Sequence, residues 1–233
     1  MEITRQKFLI GAASALLVPQ VELADANSRV ISKLPASKTK RFAWTIDDGA
    51  SSSAVASYLN IAERGEHHLT LFVTSVYDSW RVHSKQIAKL LADGKIQLGN
   101  HTVSHKDLST LSAKEIKQQL YGCHKFMLEE FGYDARPYFR PPYGNSNVKV
   151  RSVAAEMGYT VPTMWYGSFG DSTGTSEYRI IEFANKWLSN GRIVIDHCNR
   201  LKSQKALNQI QHIAKSRGLR SVTLTEAFGK DFK

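Results

Sequence analysis

From Arg41 onward, short apolar runs alternate with longer stretches in which apolar residues return every three or four positions. The short runs fit buried strands and the longer ones fit amphipathic helices. Strands are predicted over 42–46, 69–74, 96–98, 137–140, 160–165, 192–196 and 221–224. Helices are predicted over 54–64, 82–92, 116–128, 148–157, 178–188 and 205–216. Gly65, Gly94, Gly158, Gly191 and Gly218 stand near the ends of these helices, where a stop is expected. Ser112 and Glu115 have the spacing of a capping box before the longest helix. Strand and helix alternate about seven times without an internal repeat, which argues for a parallel sheet. Its most compact closure is an α/β architecture: a distorted (β/α) barrel of about seven parallel strands with helices outside. In such barrels the chemistry sits where strands end.

The first 26 residues break this pattern. Arg5 and Lys7 precede an uncharged, mostly apolar stretch over 8–18, and Ala24-Asp25-Ala26 is a small-x-small triplet. That order is the grammar of a signal peptide cut after Ala26. The apolar stretch is too short to span a bilayer, which takes about 20 residues. Export to the periplasm, cell envelope or medium is therefore expected, with no membrane span after cleavage. Residues 27–40 are polar and read as a linker, which leaves 41–233 as one domain.

Charge narrows the partners. The 233 residues hold 31 Lys and Arg against 21 Asp and Glu, a net charge of +10. The leading segment sets Arg5 and Lys7 against Glu2, Glu22 and Asp25, so the surplus belongs to the domain. A surplus of this sign suits an anionic partner such as a cell-envelope polymer. The basic residues are dispersed and show no aromatic-basic signature, so no nucleic acid partner is expected. Two cysteines, Cys123 and Cys198, exclude a disulfide scaffold and a multi-cysteine zinc site. They are expected as buried free thiols.

Four strand ends carry candidate chemistry. Thr45-Ile46-Asp47-Asp48-Gly49 closes the first strand. Two adjacent carboxylates can converge there, one binding a divalent cation and one acting as a base. A helix N-cap is the plainer use of Asp48-Gly49. His101 and His105 follow the third strand at i, i+4 spacing, which puts both on one face of a helical turn and suits a single ion. With Asp47 or Asp48 they form a two-histidine, one-carboxylate set that leaves open positions on the ion, as catalysis requires. His67, His68, His83, His124 and His212 read as structural or surface residues. Arg140-Pro141-Pro142-Tyr143-Gly144 follows the fourth strand. Its prolines fix the loop and the N–H groups after them, as an oxyanion binder needs. His197 leaves the most apolar strand and can serve as a general acid.

In this order, the motifs resemble those of the polysaccharide deacetylases of carbohydrate esterase family 4, the NodB-homology domain. The matching segments are 45–49, 101–105, 140–143, a weak fourth motif within 165–172, and 195–197. The likeness runs over about 41–225. It implies the NodB-like deacetylase fold. It implies a divalent metal, usually Zn2+ in that family, held by Asp48, His101 and His105 with water. It implies Asp47 as the base for that water and His197 as the acid for the leaving amine. The Tyr143 N–H is implied as an oxyanion donor, and Arg140 as the partner that aims Asp47. Asp171 aligns with the family's aspartate that orients the catalytic histidine. Ser172 stands where the family has tryptophan, so the wall around the acetyl methyl is altered, with Trp165 and Phe169 as candidate replacements. The implied substrate is an amino-sugar polymer or oligosaccharide of the peptidoglycan, chitin or poly-N-acetylglucosamine type, releasing acetate. An O-acetyl esterase acting on xylan-like polysaccharide and a non-catalytic polysaccharide-binding relative are the alternatives.

Overall fold

Apolar runs without strict alternation are what strands covered on both faces require. The computed structural model describes residues 29–65 and 67–232, and these runs form its strands. The segment expected as a signal peptide, 1–26, lies outside the described residues. In chain order the strands are β1 (Arg41–Asp48), β2 (Leu69–Val73), β3 (Ile96–Asn100), β4 (Tyr138–Phe139), β5 (Val161–Pro162), β6 (Gly167–Ser168), β7 (Ile193–His197) and β8 (Arg220–Ser221). The helices are α1 (Ser52–Glu63), α2 (Ser79–Val82), α3 (Ser84–Ala92), α4 (Ala113–Phe131), α5 (Val148–Glu156), α6 (Glu177–Trp187), α7 (Gln204–Ser216) and α8 (Leu224–Phe228). The sheet order is β5-β4-β3-β2-β1-β7-β6, every pairing is parallel, and β8 lies beside the start of β1. The result is the expected α/β architecture, a curled half-barrel with helices packed on it.

Alternation along β1 sorts its side chains. Phe42, Trp44 and Ile46 enter the larger core with Leu69, Leu71, Val73 and the buried faces of α1, α3 and α4. Ala43 belongs to a second core with Phe72, Tyr138, Val161 and Ile193. Thr45 and Asp47 continue the Ala43 row, because every second residue of a strand shares a face. Asp47 thus reaches the C-terminal end of the strands from the inner side. Helix α4 opens with the predicted Ser112–Glu115 capping box and closes at Gly132, whose φ is 63°. No helix among the described residues is long and apolar enough to cross a membrane.

Three expectations change. The strand predicted over 160–165 shortens to β5, and a separate strand, β6, forms beyond its predicted end. Arg140 takes the Thr163 carbonyl at 2.8 Å, so the chain leaves the ladder there and rejoins the sheet against β7. The last strand stops at Ser221, because Thr223 and Glu226 form a capping box that starts α8. The linker reading fails over 29–34. Ile31 and Leu34 are buried, the Ile31 N–H donates to the Pro162 carbonyl, and the Leu34 N–H donates to the Gly191 carbonyl. This strap bridges the β5 side of the sheet to the chain entering β7. It supplies partners to backbone groups that an open sheet edge leaves unpaired.

Candidate active site and metal centre

Asp47 and Asp48 end β1 and would face opposite ways in a regular strand. Asp48 has a φ of 80°, which turns its carboxylate back toward that of Asp47. His101 Nε2 lies 3.6 Å from Asp47 Oδ2 and 3.4 Å from Asp48 Oδ1. Gly49 continues the turn with a φ of 111°, and a Cβ there would stand 2.5 Å from the Trp80 ring. Helix α1 begins only after Ser51, whose hydroxyl accepts the Ala54 N–H. Neither aspartate serves as its N-cap.

The helical turn expected at His101 and His105 does not form. The Asn100 side chain accepts the Thr102 N–H at 2.9 Å, and the Thr102 hydroxyl accepts the His105 N–H at 3.1 Å. These side chains take donors that a helix would give to its carbonyls. The loop still brings the imidazoles together, with ring centroids 4.9 Å apart. His105 Nε2 lies 3.3 Å from Asp48 Oδ1. His101 Nδ1 donates to the Arg140 carbonyl at 2.7 Å, which fixes the tautomer and leaves Nε2 free to ligate.

Asp48, His101 and His105 each offer one ligand atom, all within 4.8 Å of one another. Asp48 Oδ1 is buried and has no hydrogen-bond donor, while Asn199 Nδ2 holds Oδ2 at 2.5 Å. A buried carboxylate oxygen without a donor is costly unless a cation faces it. Two imidazole nitrogens beside it complete a donor set suited to a borderline divalent ion. The residues present therefore fit a metal. Burial would raise the Asp48 carboxyl, but the two neighbouring imidazoles hold it well below the usual carboxylate range. Burial would likewise lower His101, yet the carboxylates of Asp47 and Asp48 push it up. His105 is lowered, first by burial and then by its electrostatic interaction with His101.

Behind Asp47 stands Arg140, fully buried. Its Nη1 donates to Asp47 Oδ1 at 2.5 Å, Nη2 to the Thr45 hydroxyl at 2.9 Å, and Nε to the Thr163 carbonyl. The guanidinium is thereby clamped, and Asp47 Oδ2 remains for the cavity. After Arg140 the chain turns through Pro142–Gly144, where Tyr143 has a φ of 60°. The Tyr143 N–H finds no backbone acceptor among the described residues. Tyr143 is 65% exposed, and its ring packs edge-on against His105 at 4.7 Å.

Opposite Asp47, β7 delivers His197. Its Nδ1 donates to Asp171 Oδ1 at 2.8 Å, so Nε2 is presented to the cavity. The imidazole loses affinity for a proton through burial. The hydrogen bond and charge of Asp171, aided by Asp47 and Asp48, outweigh that and raise its pKa to about 9. Asp47, Asp48, His101, His105, Tyr143 and His197 line one cavity of about 370 Å³. Arg140 and Asp171 stand directly behind two of them. Trp165, Ser168 and Ser172 form part of the wall, so Trp165 reaches it. Phe169 does not; it is buried against Trp44.

The profile of the polysaccharide deacetylase family matches residues 35–162, more than half of the chain. The chain belongs to the polysaccharide deacetylase family. It is 28% identical over 226 residues to the peptidoglycan-N-acetylglucosamine deacetylase PgdA of Listeria monocytogenes, covering 91% of this chain and 46% of that protein. The chain thus spans less than half the length of that relative. The chitin deacetylase of Colletotrichum lindemuthianum superposes with a TM-score of 0.76 at 24% identity, over 87% of this chain and 92% of that one. A family 4 pseudoenzyme of Bacillus anthracis superposes with a TM-score of 0.73 at 22% identity, over 90% of this chain and 72% of that one. These structures share the deacetylase fold.

All eight residues singled out from the sequence of this polysaccharide deacetylase family member gather at one end of the sheet. Others were missed. Asn199 holds Asp48 and has no marker beyond lying two residues after His197. Tyr58, Asp196 and Lys202 form a buried polar cluster behind His197. Asp196 alone left a trace, as an acid inside the apolar run Arg192-Ile-Val-Ile-Asp196.

Proposed function

We propose that the protein is a metal-dependent hydrolase that removes N-acetyl groups from an amino-sugar polymer and releases acetate. The observation that carries this reading is the arrangement around one cavity. A metal triad lies at its floor, Asp47 backed by Arg140 on one side, and His197 backed by Asp171 on the other. Family membership and the Listeria relative support polysaccharide N-deacetylation.

Asp48, His101 and His105 would hold the metal, with zinc as the leading candidate from its nitrogen and oxygen donors. When bound, such an ion polarises a carbonyl oxygen and lowers the pKa of water. Asp47 takes a proton from the attacking water through Oδ2, while Arg140 keeps its other oxygen engaged. The Tyr143 N–H stands ready for the negative charge that develops on the amide oxygen. His197 gives a proton from Nε2 to the departing amine, while Asp171 holds Nδ1. We also place the mature protein outside the cytoplasm, on an anionic cell-envelope polymer. The signal-like first 26 residues and the +10 charge support that placement.

The test is acetate release from N-acetylglucosamine oligomers and peptidoglycan, with acetylated xylan alongside, before and after chelation. Turnover should vanish with chelator and return with zinc or another divalent ion. Stripped protein that never regains activity on any of these substrates would sink the proposal in favour of a binding role. Activity confined to xylan would replace the amide reading with an ester one.

A further inference from the structure

Lys202 follows β7 by five residues and turns back beneath it. Its side chain is 6% exposed. The ammonium donates to Asp171 Oδ2 at 2.7 Å, to the His197 carbonyl at 2.9 Å and to the Tyr58 hydroxyl at 3.0 Å. Asp196 Oδ1 lies 2.9 Å away. Tyr58 in turn donates to Asp196 Oδ2 at 2.5 Å, and the Trp44 indole donates to the same oxygen at 3.1 Å. The His197 N–H donates to Asp171 Oδ2 at 2.9 Å and to Asp196 Oδ1 at 3.1 Å. One lysine therefore meets two buried carboxylates and the main chain of the proposed proton donor. Without it, Asp171 and Asp196 would face each other at 4% and 0% side-chain exposure with only the His197 imidazole, which touches Asp171 alone through its ring, to balance them. Two carboxylates so placed share a proton. Asp171 would then accept less well from His197 Nδ1, and the imidazole would lose its aim.

We propose that Lys202 is a positioning residue for His197: its ammonium balances Asp171 and Asp196 and so keeps Asp171 committed to the imidazole. This rests on the reading of His197 as proton donor. Burial favours neutral Asp171, yet His197 and Lys202 hold its carboxyl well below the usual range. Burial pushes Asp196 up to about 6 against the pull of Lys202.

The parent reading is tested first and separately. His197→Gln must lose turnover; if it does not, the assignment of the donor falls, whatever Lys202 does. Lys202→Met should then lower kcat about 100-fold, the scale of a displaced general acid, with KM within about threefold and metal content unchanged. The downfield Nδ1 proton resonance of His197 should disappear with it. Lys202→Met combined with Asp196→Asn removes one charge of each sign. It should regain at least about tenfold in kcat, together with the resonance, since the group energies are coupled rather than additive. A merely space-filling lysine predicts the opposite, because the double variant has two defects. Full kcat in Lys202→Met, or a double variant no better than the single, overturns the proposal. If Lys202→Met does not fold, the double variant decides alone. Folded protein within about 30-fold of full kcat supports the proposal, and a larger loss or failure to fold overturns it.

Discussion

Arg140 is the only arginine among the described residues that is fully buried, and its guanidinium lies over Phe72 at 4.2 Å and Trp165 at 5.7 Å. Burial lowers its affinity for a proton, and Asp47 offsets only part of that. Arg140→Met removes the cation and leaves Asp47 buried beside Asp48, His101 and His105. The expected loss is about 3–5 kcal/mol in denaturant unfolding, the scale of a broken buried pair. A loss below about 1 kcal/mol would mean that water reaches Asp47 in the folded protein. Asp47→Asn keeps shape and removes the proposed base. Metal content should stay whole while turnover falls at least about 100-fold; unchanged turnover would remove Asp47 from the role. His197 supplies a third, pH-dependent expectation. A raised pKa means that the imidazole is charged below about 9 and loses its proton as pH rises through that value. An acid works only while charged, so the alkaline limb of kcat/KM should lie well above 6.5, the ordinary imidazole value. Asp171→Asn removes the largest cause of the rise and should bring the limb down. A limb already near 6.5 in the unsubstituted protein would show that Asp171 does not act on His197.

Turns decide this site more than helices do. The Pro142–Gly144 turn carries Tyr143 at a left-handed φ, a conformation glycine adopts freely. If the N–H is what matters, Tyr143→Gly keeps the donor and should retain kcat within about tenfold. Its KM should rise, because an exposed aromatic face against His105 is lost. Collapse of kcat instead would assign the catalytic part to the ring. The same contrast separates what was legible in the sequence from what was not. Strand–helix alternation and the motifs at strand ends are local, and they point to the parallel sheet and to seven of the eight gathered residues; Asp171 came only through the family resemblance. The His101–His105 spacing predicts a helical turn, because spacing alone does not reveal that Asn100 and Thr102 divert the backbone. Two-residue strands such as β6 have no periodicity to read. Lys202 and Tyr58 meet Asp196 across 144 residues of chain between the first two, and only the folded sheet brings them together.

At the scale of the whole molecule, the 29–34 strap ties the β5 side of the sheet to the chain entering β7. Ile31 is 8% exposed within the inner core, and the strap that carries it spans the open side of the sheet. Ile31→Ala should lower stability by about 2 kcal/mol, seen as an earlier denaturant midpoint at unchanged slope. No measurable change would return 29–34 to the status of linker. The charge surplus also acts at this scale. Turnover on an anionic polymer should fall with ionic strength, while turnover on a neutral oligomer should not. Among the described residues, four non-glycine positions have positive φ: Asp48, Thr102, His105 and Tyr143. All four belong to the candidate site, and strain of this kind is about 1–3 kcal/mol per residue. In a lineage no longer selected for turnover, drift toward glycine at these four positions would be rewarded with robustness. The sheet, caps and core would persist unaltered, so such a descendant would look intact in outline long after its chemistry had gone.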